Sequence, residues 1–135
     1  MPIRTAHCEC GQLSITLQGE LLGAGICHCL SCQRRTGSVF ASLAGFATPY
    51  TVTGTATCYS RTGDQGSVFT FRFCPVCGST VFHTEAGFED RNVSVAVGAF
   101  ADPGFPAPQD SVYDCRRHPW VQVPPGTVVH DKDPV

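Results

Sequence analysis

Apolar and polar residues alternate with period two over several short stretches, the pattern of strands with one buried face. Leu13, Ile15 and Leu17 alternate with Ser14, Thr16 and Gln18, predicting a half-buried strand over 13–18. Phe69, Phe71 and Phe73 alternate with Thr70 and Arg72, predicting a strand with one aromatic face. Val93, Val95 and Val97 alternate with Ser94 and Ala96 and predict a third. Residues 39–43 and 81–83 are shorter candidates, and 51–53 with 56–59 around Gly54-Thr55 predict a hairpin. The helical period is nearly absent. One helix of a turn or two is predicted over Leu30–Thr36, ended by Gly37, which takes left-handed backbone without a Cβ clash. From Asp102 onward Pro and Gly recur, predicting loop apart from extended pieces near Val112 and Val121.

Composition agrees with a mainly β fold of small antiparallel sheets. The chain has one Lys, one Met, 14 Gly and 10 Pro, so helix formers are scarce and turn formers common. Its 135 residues suit a single domain over 1–135, and 42% hydrophobic residues with 15% charged exclude a disordered chain. Phe40, Phe46, Phe69, Phe71, Phe73 and Phe82 are the expected core, with Trp120 packed into it. The net charge of −2 argues against nucleic acid as a partner. No run approaches the ~20 apolar residues of a membrane span, and no polybasic block offers a membrane anchor.

Nine cysteines change the picture. Their odd count, their clustering and a start without the apolar core of a signal peptide favour a reduced, cytoplasmic, metal-loaded protein over a disulfide framework. The clusters are Cys8-Glu9-Cys10-Gly11, Cys27-His28-Cys29-Leu30-Ser31-Cys32 and Cys74-Pro75-Val76-Cys77-Gly78-Ser79. Cys-x-x-Cys-Gly turns two thiolates towards one metal, and Cys-x-Cys places two on one face of an extended segment. The seven ligands divide most simply into four and three. Cys8, Cys10, Cys74 and Cys77 would close a tetrahedral zinc shell and tie distant parts of the chain together. Cys27, Cys29 and Cys32 are contiguous, and three ligands leave one coordination position for water or substrate.

The remaining candidates are weighed against that division. Arg34 and Arg35 follow the open cluster and are candidates to hold a substrate's carboxylates by bidentate hydrogen bonds. His28, between two ligands, should point away from the metal and support it indirectly. His7 and His83 are candidates for similar support, and His118 with Trp120 for a cleft wall. Cys58, in an expected strand, reads as a buried inert thiol. Cys115, in Asp114-Cys115-Arg116-Arg117, reads as a free surface thiol, with a fourth ligand or a redox group as the alternatives.

The three cysteine segments, together with Gln33-Arg34-Arg35-Thr36-Gly37-Ser38, the segment 95–103 and His118-Pro119-Trp120, resemble the glutathione-dependent formaldehyde-activating enzyme family. The resemblance runs from Cys8 to about Trp120. It implies a β-tent fold of small antiparallel sheets pinned by zinc. It also implies a structural zinc on Cys8, Cys10, Cys74 and Cys77 and a second zinc on Cys27, Cys29 and Cys32. The family's namesake reaction joins formaldehyde and glutathione into S-hydroxymethylglutathione and is classed as a carbon–sulfur lyase reaction. A small thiol, glutathione first, is therefore the expected partner. Two other readings stand beside it. A non-enzymatic zinc module that binds a protein or carries a thiol is one, since the fold is shared with a guanine-nucleotide-exchange chaperone. A redox enzyme on the related methionine-sulfoxide-reductase scaffold, with Cys115 as the reactive thiol, is the other.

Overall fold

The computed structural model describes residues 2–132. The protein is mainly β, as expected, and its strands form two sheets. A three-stranded antiparallel sheet contains β1 (Arg4–His7), β2 (Ser14–Leu17) and β5 (Tyr50–Thr53), with β2 in the middle. A larger sheet contains β3 (Leu21–Cys27), β4 (Ala41–Ala47), β6 (Thr57–Thr62), β7 (Val68–Phe73), β8 (Thr80–Glu85), β9 (Asn92–Ala96), β10 (Asp110–Val112) and β11 (Val128–Val129). Its order is β11-β10-β3-β4-β9-β8-β7-β6. The pairs from β3 to β6 are antiparallel, whereas β10 lies parallel to both β3 and β11. The helix α1 spans Leu30–Thr36, and Gly37 ends it at φ 73° with its N–H on the Gln33 carbonyl, as the sequence predicts.

The core forms where the two sheets face each other. Leu13, Ile15 and Leu17 are completely buried, and they pack in one cluster with Phe46, Val81, Phe82, Val93 and Val95. Phe46, Phe71 and Phe82 are buried as expected, while Phe40, Phe69 and Phe73 are only half-buried. Trp120 is not a core residue: it is 71% exposed, in a loop that contributes no strand.

Several expected elements are corrected. The hairpin over 51–53 and 56–59 does not form. β5 pairs with β2, and β6 pairs with β7, so the two strands belong to different sheets. The reason lies at Gly54-Thr55. Gly54 adopts φ 97°, and the Gln12 backbone comes so close that a Cβ there would collide with it. The Gln12 side chain then takes the Thr55 N–H (3.0 Å) and carbonyl (2.6 Å), hydrogen bonds that a hairpin would have used. The strand expected over 39–43 begins at Ala41 and runs on to Ala47. Residues near Val121 form no strand, and the late extended piece is Val128–Val129. The strand anticipated through Val97 ends at Ala96, where a 3-10 turn begins.

Candidate metal centres and the cavity beside the second

The sulfurs fall into two groups, each within 4.8 Å of one another: Cys8, Cys10, Cys74 and Cys77, and separately Cys27, Cys29 and Cys32. This is the division expected from ligand count. Cys58 and Cys115 stand outside both groups. Cys58 is exposed on β6, not buried, because β6 is the edge strand of the large sheet and presents that position to solvent. Cys115 is exposed too, and its thiol donates to the Asp131 carbonyl at 3.2 Å.

The four-cysteine group joins the two sheets. Cys8 and Cys10 follow β1, and Cys74 and Cys77 occupy the turn from β7 to β8. Cys10 Sγ lies 3.7 Å from both Cys8 Sγ and Cys74 Sγ. A metal bound tetrahedrally by thiolates at about 2.3 Å separates its sulfurs by about 3.8 Å. The spacing therefore fits an ion. Polar hydrogens also converge on the sulfurs. Cys8 Sγ accepts from the Leu13 N–H (3.3 Å), and Cys74 Sγ from the Gln12 side-chain amide (3.1 Å) and the Val76 N–H (3.3 Å). Such donors favour the thiolate form. Cys77 is pulled down to about 5, first by its hydrogen bond with the Ser79 hydroxyl. Cys8 and Cys74 are buried, and none of the four cysteines lines either of the clefts described below, so the group is built to close around an ion.

The three-cysteine group is local. β3 ends at Cys27, and Cys27 and Cys29 share a face of extended chain. Cys29 is also the N-cap of α1, and its Sγ accepts the Cys32 N–H at 3.3 Å. The same sulfur thus starts the helix and points at its neighbours. Hydrogen bonds from Cys27 and Cys32 favour the Cys29 thiolate, while Cys27 is held protonated by its hydrogen bonds with Cys29 and Cys32 and by burial. The three sulfurs alone support one anion. A divalent cation is what lets all three become thiolates together, so the donor set fits a metal.

His28 points away from the sulfurs, as its place between two of them requires. It is completely buried, and its Nε2 donates to Ser111 Oγ (2.9 Å), which donates in turn to Asp114 Oδ1 (2.9 Å). Asp114 pairs with Arg117 at 3.3 Å. Burial lowers the His28 pKa, so the ring is neutral and fixed in one tautomer. This chain of bonds, with the parallel β3–β10 pairing that sets Cys27 opposite Val112, anchors the cysteine segment. His118 braces α1 instead through Gln33 Oε1 at 3.0 Å. The His7 ring bonds the Cys8 carbonyl at 2.7 Å.

A cavity of about 410 Å³ opens onto Cys27, Cys29 and Cys32. Arg35, Arg61, Arg116 and Lys132 reach its wall, against one carboxylate, Asp64, which accepts from the Tyr113 hydroxyl at 3.2 Å. Arg35 lies over the Phe71 ring, 4.3 Å from its centroid, with Nη2 3.9 Å from Cys32 Sγ. Arg34 does not share this position. It lines an adjoining groove with Tyr59 and Phe73, on the far side of Arg35. One cavity residue escapes a reading of the sequence, and another is expected there only as an indirect support of a metal. Arg61, the one missed, arrives from β6, and His83 arrives from β8, so that both line the cavity wall. His83 is pushed down to about 3 by burial, and then by Arg35 and Arg61, so it is a neutral imidazole at the cavity wall.

A two-sheet β protein with one closed and one open thiol centre is the class these features define. The model of the glutathione-dependent formaldehyde-activating enzyme family matches residues 3–116, and the chain belongs to that family. Its fold is similar to the crystal structure of a Rhodobacter sphaeroides protein solved as a structural-genomics target. The identity is 23% and the TM-score 0.54, over 93% of this chain and 98% of that one. No curated protein matches the chain. Among the described residues, no helix is long and apolar enough to cross a membrane.

Proposed function

We propose that the protein is a zinc-dependent carbon–sulfur lyase of the cytoplasm that adds a small thiol, glutathione first among them, to formaldehyde or a related aldehyde. The observation that carries the reading is the cavity in which three convergent cysteine sulfurs meet an excess of cationic side chains. Family membership supports the thiol and the aldehyde. In this reading the whole chain is one zinc domain, Cys8, Cys10, Cys74 and Cys77 hold a structural zinc, and Cys27, Cys29 and Cys32 hold the working ion. A zinc ion held by three thiolates supplies positive charge that lowers the pKa of a thiol brought beside it.

The chain's own residues supply the rest. Glutathione carries two carboxylates and one ammonium group, so its anionic ends are drawn to a wall bearing Arg35, Arg61, Arg116 and Lys132. Arg35 is the better placed of the two arginines picked out from sequence, and Arg34 serves the part of the ligand that extends into the groove. His83, neutral, can hydrogen-bond the aldehyde oxygen without adding another charge. The reaction balances simply: sulfur adds to the carbonyl carbon, the C=O π-bond breaks, and the thiol proton ends on oxygen.

The test is kinetic, because thiols add to formaldehyde unaided. The zinc-loaded protein should form S-hydroxymethylglutathione at least about tenfold faster than buffer at equal reactant concentrations. Cys29→Ser should return the rate to that of buffer. Equal rates for wild type and buffer would leave a thiol-carrying or protein-binding module as the better reading.

A further inference from the structure

Arg35 and Arg61 stand on the ridge between the sulfur cavity and the adjoining groove of about 520 Å³, lining both. Both lie against the Phe71 ring, Arg61 at 5.5 Å from its centroid, and Arg61 also faces Phe69 at 5.6 Å. Stacking satisfies the faces of the guanidinium groups but not their N–H edges. The Nε of each is buried without a hydrogen-bond partner. Among the described residues neither forms an ion pair: the pairs there are Arg117 with Asp114 and His130 with Asp110.

Two half-buried guanidinium groups side by side repel each other, and each orphaned N–H opposes folding until a partner takes it. The cysteines do not offset both. Three thiolates with one divalent ion carry a single net negative charge, and Arg35 is the arginine that approaches a sulfur. Among the described residues, the Arg61 guanidinium has no hydrogen-bond partner. His83, whose pKa is lowered first by burial, is lowered further by these two cations.

We propose that Arg61, with Arg35, forms the carboxylate-binding subsite for the thiol ligand, on the ridge between cavity and groove. The inference rests on the reading of the cavity as a thiol site and adds the ligand's second requirement. It must carry a carboxylate, and its chain must cross the ridge, with the sulfur in the cavity and the remainder in the groove beside Arg34 and Tyr59. Small neutral thiols reach the sulfurs and gain nothing from the arginines. Selectivity among thiols then comes from Arg61, whereas reactivity comes from the cysteine cluster.

The test separates binding from turnover. S-methylglutathione, which has both carboxylates and no reactive thiol, is titrated calorimetrically into the metal-loaded full chain, alongside its diethyl ester. Wild type should bind the acid at least about tenfold more tightly than the ester, the difference expected for charge-assisted hydrogen bonds. Arg61→Gln should abolish that preference while binding the ester as wild type does, and Arg61→Lys should restore part of it. An unchanged melting temperature in both variants shows that the fold survives. Equal binding of acid and ester by wild type, or a preference intact in Arg61→Gln, overturns the subsite. Failure of the lyase assay with this preference present overturns the proposed reaction and leaves the subsite standing.

Discussion

The two thiol centres use the same ligand in opposite ways. In the first, Cys10 and Cys74 are 64 residues apart in sequence and 3.7 Å apart in space, and the four sulfurs hold two sheets together. In the second, all three ligands lie in one segment from the end of β3 into α1, and no distant part of the chain is tied by them. An ion at the first site closes a long loop, and an ion at the second closes almost none. Charge follows the same division. Arginines gather at the three-cysteine cavity, while backbone and amide N–H groups serve the four-cysteine cluster. In the proposed reading, two clusters of one residue type therefore separate stability from reactivity, and that separation can be tested.

The largest expected effect is on the first centre. Cys74→Ser should lose on the order of 5 kcal/mol of folding stability, because it removes a completely buried ligand of the proposed sheet-joining ion. Urea denaturation of the metal-loaded protein measures it. Cys29→Ser provides the contrast. Serine is as good an N-cap as the thiolate it replaces, so α1 should remain and the loss should stay near 1–2 kcal/mol. Equal losses in the two variants would erase the distinction drawn here.

The smaller effect concerns the cavity wall. His83 has a pKa near 3 in the folded chain against 6.5 for an ordinary histidine. The unfolded chain therefore binds the extra proton first as pH falls. Stability linked to His83 is complete above pH 6.5 and is lost progressively below it, by about 2 kcal/mol at pH 5. His83→Gln should flatten that part of the pH dependence. Urea midpoints at pH 7 and pH 5 for both proteins, compared as a difference, cancel the protonation of cysteines common to both.

Much of this division was legible in the chain itself, for particular reasons. α1 could be read because Gly37 stops it, β2 and β9 because each buries one face cleanly, and β7 because its phenylalanines alternate although only Phe71 is fully buried. β3 was not legible. Gly23 and Gly25 break its alternation, and their purpose lies outside the strand: Gly25 leaves room for the backbone of Asp110 on β10. β1 buries only Ala6, too little for a period to show. The cysteine sets were legible because metal-ligand spacing is local. Arg61 was not, since only the register of β6 on β7 brings it to the cavity; His83 was a candidate, but which centre it faces is set by the register of β7 on β8. Arg34 and Arg35 look equivalent in sequence, yet α1 turns one towards the groove and the other towards the sulfurs.

The most direct test of the two-centre account is metal content per chain in protein purified without oxygen, for wild type and Cys29→Ser together. The account predicts two zinc ions in wild type and one in the variant, with the fold retained. One ion in wild type, unchanged by Cys29→Ser, would contradict it.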